Sequence, residues 1–276
     1  MPDIHALLDA LWADYTAITP QAARVHDLLT RRGERIVNDH IALRTFDLPS
    51  VNIEVLARPF VDGGYVSRGE YAFEEKHLDA KHYEHHDATL PKVFISQLRT
   101  GDFSQALRDV VRGLVGQIPA DVLRREDLPV AGRLWQVSYA QYEALRAVSE
   151  YAAWVAAFGF RANHFTVSVN ALRQIDSLEA LNALLKQAGF ALSTSGGEIK
   201  GSPEVYLEQS STLADTVEVA FSDRTARIPS CYYEFARRHP LPNGELFQGF
   251  VAKSADKIFE STNPQRAKDR GADRSG

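Results

Sequence analysis

His40, His164, Glu234 and Arg44 are among the residues whose types could carry chemistry in this chain. His40 and Arg44 stand in the run Asn38-Asp39-His40-Ile41-Ala42-Leu43-Arg44-Thr45-Phe46, which reads as a short strand. Side chains alternate along a strand, so His40, Ala42, Arg44 and Phe46 share one face, and Ile41, Leu43 and Thr45 share the other. One face suits packing; the other offers a metal ligand and an anion binder. At about 3.3 Å per residue their Cα atoms lie roughly 13 Å apart, which leaves room between them for a small organic acid. The same types also suit a hydrogen-bonded strand histidine and a surface charge, and this stretch alone favours that plainer reading. In a second strand-like run, His164, Thr166, Ser168 and Asn170 alternate with Phe165, Val167 and Val169. In a third, Tyr232, Glu234 and Ala236 alternate with Cys231, Tyr233 and Phe235. Two imidazoles and one carboxylate drawn from three strands would leave adjacent coordination positions open, which suits non-haem Fe(II) oxygen chemistry on a bidentate 2-oxo acid. Zinc, manganese or cobalt could use the same set.

Other residues compete for these roles. Glu208 and Glu218 are rival carboxylates in strand-like segments. His77, His82, His85 and His86 form the densest histidine group, and His82 with His86 has the i,i+4 spacing of a helical zinc pair. Lys76, Asp79, Lys81, Glu84 and Asp87 around them favour a solvated or substrate-entry segment. Gln97, Ser168, Gln209 and Ser211 are candidates for hydrogen bonds to substrate, although a strand end or a turn uses the same residue types. Cys231 has no basic neighbour that would activate a thiolate and reads as a packing residue.

The elements that must position these groups follow from periodicity. Asp3 caps an amphipathic helix over residues 3–17, and Thr19-Pro20 starts a second that Gly33 ends. A helix around Ile53–Phe60 ends at Gly63-Gly64. Tyr65–Phe73 and Val93–Leu98 read as strands joined by a polar, histidine-rich connection. Phe103–Val115 and Tyr139–Phe158 are helical in pattern and form an insertion over 101–158. The pattern then restarts, with a strand at Asn163–Asn170 and a helix near Ser177–Ala188. From His40 to Gly64 is 24 residues and from His164 to Gly189 is 25, each span holding an amphipathic helix, which makes a weak internal repeat. Glu198–Lys200, Val205–Gln209, Val217–Phe221 and Cys231–Ala236 have short-strand character. Residues 261–276 read as a loose tail.

Composition bounds the function class. The 276 residues are 45% hydrophobic and 24% charged with a net charge of −5, which argues against nucleic acid as a partner. One cysteine excludes an intrachain disulfide and fits a reducing compartment, with cytoplasm the default. No stretch approaches a membrane span. Assembly into a homo-oligomer is left open.

The runs Asp39–Phe46, Asn163–Thr166 and Ile228–Ala236 resemble the 2-oxoadipate dioxygenase/decarboxylase (hydroxyglutarate synthase) family of the vicinal-oxygen-chelate superfamily, over most of residues 35–240. The resemblance implies an α+β fold in which tandem β-α-β-β-β modules form a cupped mixed sheet, with N-terminal helices and a helical insertion. The modules would cover 35–100 and 159–240 of one domain spanning 1–260. It further implies His40, His164 and Glu234 as ligands of Fe(II), Arg44 as the catalytic-site residue that holds a substrate carboxylate, and dioxygen as co-substrate. The expected reaction is 2-oxoadipate to 2-hydroxyglutarate and carbon dioxide. A ring-cleaving dioxygenase or glyoxalase-like isomerase on the same scaffold, and a non-enzymatic protein that binds a small acid or metal, are the rival readings.

Overall fold

The computed structural model describes residues 3–251. The described chain divides into two compact units, one made of the residues up to Tyr15, Ile41–Asn163 and Val217–Ile228, the other of Thr16–His40, His164–Thr216 and the described residues from Pro229 onward. The elements in chain order are helices α1 (Ile4–Ile18) and α2 (Pro20–Arg31), strand β1 (Asn38–Phe46), α3 (Ile53–Asp62), and strands β2 (Tyr65–Phe73), β3 (Leu78–His85) and β4 (Lys92–Leu98). Then come α4 (Gln105–Val115), α5 (Tyr139–Val148), α6 (Glu150–Phe158), β5 (Ala162–Ser168) and α7 (Leu178–Gln187). Strands β6 (Lys200–Ser202), β7 (Leu207–Ser211), β8 (Thr216–Ala220), β9 (Thr225–Pro229) and β10 (Glu234–Arg238) complete the series. The fold is α+β, and the internal repeat is real: β1-α3-β2-β3-β4 is one β-α-β-β-β module, and β5-α7-β6-β7-β10 is the other, with β8 and β9, which pair as a separate ribbon, falling between β7 and β10 in sequence. Among the described residues no helix is long and apolar enough to cross a membrane.

In the first unit the strand order is β2-β3-β4-β1, with β3 antiparallel to both β2 and β4. Ile41, Leu43, Leu56, Phe60, Val93 and Ile95 are buried there. The helical insertion belongs to this unit, and α6 is buried from Tyr151 to Phe158. In the second unit the order is β5-β10-β7-β6, with β10 parallel to β5 and antiparallel to β7. Its core includes Val25, Leu29, Phe165, Leu181, Leu207 and Phe235.

Several local expectations need correction. Asp3 caps α1 through its side chain, but Thr19 makes no side-chain cap to α2, whose first turn instead uses the Thr19 carbonyl. The histidine-rich connection between β2 and β4 is itself a strand, β3. His77 takes a left-handed conformation (φ 56°) that reverses the chain before it. Alternation was hidden there because the polar members are satisfied in place, as where Lys81 Nζ meets Glu54 at 2.7 Å and Glu70 at 3.1 Å. His82 and His86 therefore never share a helical face. The helix over 139–158 breaks at Ser149, whose extended backbone ends α5 and whose hydroxyl caps α6. Strand β5 stops at Ser168, so Asn170 lies beyond it, and β10 begins only at Glu234. Strand β9 had no counterpart in the sequence reading, and Val205 precedes β7 in a short 3-10 turn. The tail at 261–276 lies outside the described residues.

Candidate metal centre

All three candidate ligands fall in the second unit. His164 sits on β5, and Glu234 opens β10 two strand positions on, opposite Thr166 on one side and Ser211 of β7 on the other. His40 lies on the part of β1 that belongs to this unit. One ligand atom from each of His40, His164 and Glu234 lies within 4.8 Å of the other two, and all three residues are buried. His40 Nε2 is 3.5 Å from Glu234 Oε1, and His164 Nε2 is 3.3 Å from Glu234 Oε2.

The groups around these atoms fix their orientation and protonation. His40 Nδ1 donates to Asp39 Oδ1 at 2.9 Å, which leaves the Nε2 lone pair facing Glu234, with Thr166 Oγ1 3.1 Å away. Burial alone would raise the Asp39 carboxyl, but the Arg238 guanidinium and His40 outweigh it and hold the group well below the usual carboxylate range. An ionised Asp39 therefore keeps the proton on Nδ1. Gln209 Nε2 donates to Glu234 Oε1 at 2.5 Å. Tyr232 stacks on the His164 ring at 4.8 Å with an interplanar angle of 25°.

The donor set fits a divalent cation. Glu234 is fully buried, its Oε2 receives no hydrogen bond among the described residues, and burial raises its carboxyl more than His40 and Gln209 lower it. A buried carboxylate this poorly provided with donors, close to two imidazole nitrogens, suits a positive ion as its partner.

Arg44 belongs to the first unit. It is buried, and its Cζ lies 5.1 Å from the Tyr151 ring centroid and 5.2 Å from that of Trp154. These are cation–π contacts from α6. Tyr151 is itself fixed by donation to the Ser96 carbonyl (2.7 Å) and by the Thr45 N–H (3.1 Å), and burial pushes its phenol up to about 12.

The remaining candidates are placed as follows. Gln97 is in the first unit, where its Oε1 accepts from the Ile53 N–H at 3.0 Å at the start of α3. Ser168 is half-buried at the end of β5 opposite Ala236, and Ser211 is buried opposite Glu234. Gln209 gives its amide to Glu234. Glu208 pairs with His239 Nε2 at 2.8 Å, and Glu218 is exposed on β8. His77 pairs with Asp102, and His82 sits between Tyr71 and Glu84. Cys231 is buried. Sequence reasoning missed Asp39, Arg238, Tyr151 and Trp154; only Asp39 carried a signal, as the immediate neighbour of His40.

Three comparisons place this architecture. A rice protein (Oryza sativa subsp. japonica) named 2-oxoadipate dioxygenase/decarboxylase, chloroplastic/amyloplastic, is 34% identical, and the match covers 94% of this chain and 78% of the relative. The solved structure of rice hydroxyglutarate synthase in complex with 2-oxoadipate superposes with a TM-score of 0.90 at 32% identity, covering 97% of this chain and 96% of that one. A Shewanella frigidimarina structure, provisionally described as a hydrolase, is 54% identical with a TM-score of 0.88, covering 91% of this chain and 99% of that one. The family model for 2-oxoadipate dioxygenase/decarboxylase matches residues 1–119 and 130–248, which take in His40, Arg44, His164 and Glu234 together. With the model spanning both modules and the curated rice relative aligned along nearly the whole chain, this protein belongs to the 2-oxoadipate dioxygenase/decarboxylase family.

Proposed function

We propose that the chain is an Fe(II)-dependent dioxygenase that converts 2-oxoadipate and dioxygen to 2-hydroxyglutarate and carbon dioxide. The observation that carries this reading is the convergence of two imidazoles and one buried carboxylate within 4.8 Å. The substrate is taken from the names of the rice relative and of the 2-oxoadipate complex. The overall reaction balances without a further reductant, since both oxygen atoms of O2 are accounted for in the two products.

His40, His164 and Glu234 would hold the metal. When bound, Fe(II) supplies the redox chemistry that couples decarboxylation of a 2-oxo acid to oxygen insertion. Asp39 keeps His40 in the tautomer that presents Nε2, and Gln209 fixes one oxygen of Glu234. Burial of all three ligands keeps bulk water from competing with the substrate. Arg44 would bind the remote carboxylate of the dicarboxylate through a planar two-point contact, its guanidinium held by Tyr151 and Trp154.

The test is simultaneous measurement of oxygen uptake and carbon dioxide release on adding 2-oxoadipate to protein loaded anaerobically with Fe(II). Equimolar changes support the reading. Turnover without dioxygen, as hydrolysis would give, contradicts it.

A further inference from the structure

Arg238 closes β10 on the face that carries Glu234. Its Nε donates to Asp39 Oδ2 at 2.7 Å and its Nη2 to Asp39 Oδ1 at 2.8 Å, a side-on pair between two buried groups. Its Nη1 donates to the carbonyls of Phe247 (3.0 Å) and Gly249 (2.7 Å). The guanidinium also lies 5.3 Å from the Phe250 ring centroid. Phe250 in turn meets the His40 ring edge-on, with centroids 4.8 Å apart and planes at 90°. A single side chain thus grips both the carboxylate that orients His40 and the segment that covers the same imidazole. A lysine could neutralise Asp39, but it could not make the two-point contact and hold two carbonyls at once.

We propose that Arg238 is a positioning residue that couples the Phe247–Phe250 segment to His40, so that metal binding and seating of that segment reinforce each other. The inference rests on the metal-centre reading of His40, His164 and Glu234. Coupling of this kind is reciprocal: the seated segment raises metal affinity, and bound metal protects the segment by the same factor.

The experiment is a Co(II) titration of the full chain by absorbance and chelator competition, with hydrogen exchange of the 247–251 amides followed with and without metal. Wild type is expected to bind Co(II) and to gain protection at 247–251 on binding. Arg238→Lys is expected to lose about ten- to a hundredfold in Co(II) affinity and to lose the metal-dependent protection. If Arg238→Lys does not fold, Phe250→Ala carries the test, with weaker Co(II) binding expected in a folded chain. Wild-type Co(II) affinity and protection in Arg238→Lys, or wild-type affinity in Phe250→Ala, would overturn the coupling and leave the metal centre standing. Failure of the wild type to bind Co(II) would overturn both.

Discussion

Replacing Gln209 with Met keeps the length and bulk of the side chain but removes the N–H that Glu234 Oε1 accepts at 2.5 Å. The acceptor is a fully buried carboxylate whose other oxygen receives no hydrogen bond among the described residues, so the Gln209 bond favours its ionised form. A hydrogen bond to a charged group contributes about 1.5–3 kcal/mol. Metal binding requires the ionised carboxylate, so at a pH where the metal-free carboxyl is protonated that loss appears in affinity, and at about 1.4 kcal/mol per factor of ten it amounts to roughly ten- to a hundredfold. The assay is Fe(II) or Co(II) competition against a chelator of known affinity at fixed pH, with thermal unfolding run alongside to establish that the variant is folded. Because the lost bond favours only the ionised form, the deficit should shrink as pH rises and deprotonation is completed by other means. A Gln209→Met protein that folds and binds metal as tightly as wild type, at every pH tested, would refute the role given to this contact.

Arg44→Ala should harm use of a dicarboxylic 2-oxo acid far more than metal loading, read as the ratio of kcat/KM for 2-oxoadipate to that for a 2-oxo monocarboxylate; equal loss of substrate use and metal binding would remove the assigned role. The Glu234 carboxyl is raised above its ordinary value of 4.5 chiefly by burial. The contribution of Glu234 to the stability of the metal-free protein should therefore be fully present below that value and be lost as pH rises through the raised folded pKa, because the folded state holds the proton that the unfolded state has released. Glu234→Gln should flatten that part of the urea-denaturation pH profile. Gly159 has φ 72°, and a Cβ there would stand 2.1 Å from the Gly132 carbonyl oxygen, so Gly159→Ala should cost more than about 3 kcal/mol in urea unfolding.

The strands bearing His40 and His164 and the helices after them were legible because one apolar face alternates cleanly, as in Ile41, Leu43 and Thr45 against His40 and Arg44. Strand β3 was not, because its charged and histidine side chains pair with neighbours such as Glu54, Glu70 and Tyr71 instead of marking a solvent face. Convergence of His40, His164 and Glu234 is a property of strand order, in which β5 neighbours β10, and no spacing along the chain encodes it. Arg238 and Asp39 are 199 residues apart in sequence, and their pairing emerges only once the strands are assembled. Gln97 shows the limit of face assignment: alternation puts it with Val93 and Ile95, and its acceptor is spent on the Ile53 N–H at the start of α3. Tyr151 and Trp154 come from a helix whose residues are buried on every side, so periodicity gave no sign of which face Arg44 would meet.

The most direct test of the central claim is the paired oxygen-electrode and carbon dioxide measurement on anaerobically Fe(II)-loaded protein, with 2-oxoadipate as substrate and His164→Ala as control. One carbon dioxide released per dioxygen consumed, with 2-hydroxyglutarate as product and neither change in His164→Ala, is the predicted result. Carbon dioxide release that persists without oxygen, or turnover that survives in His164→Ala, would contradict it.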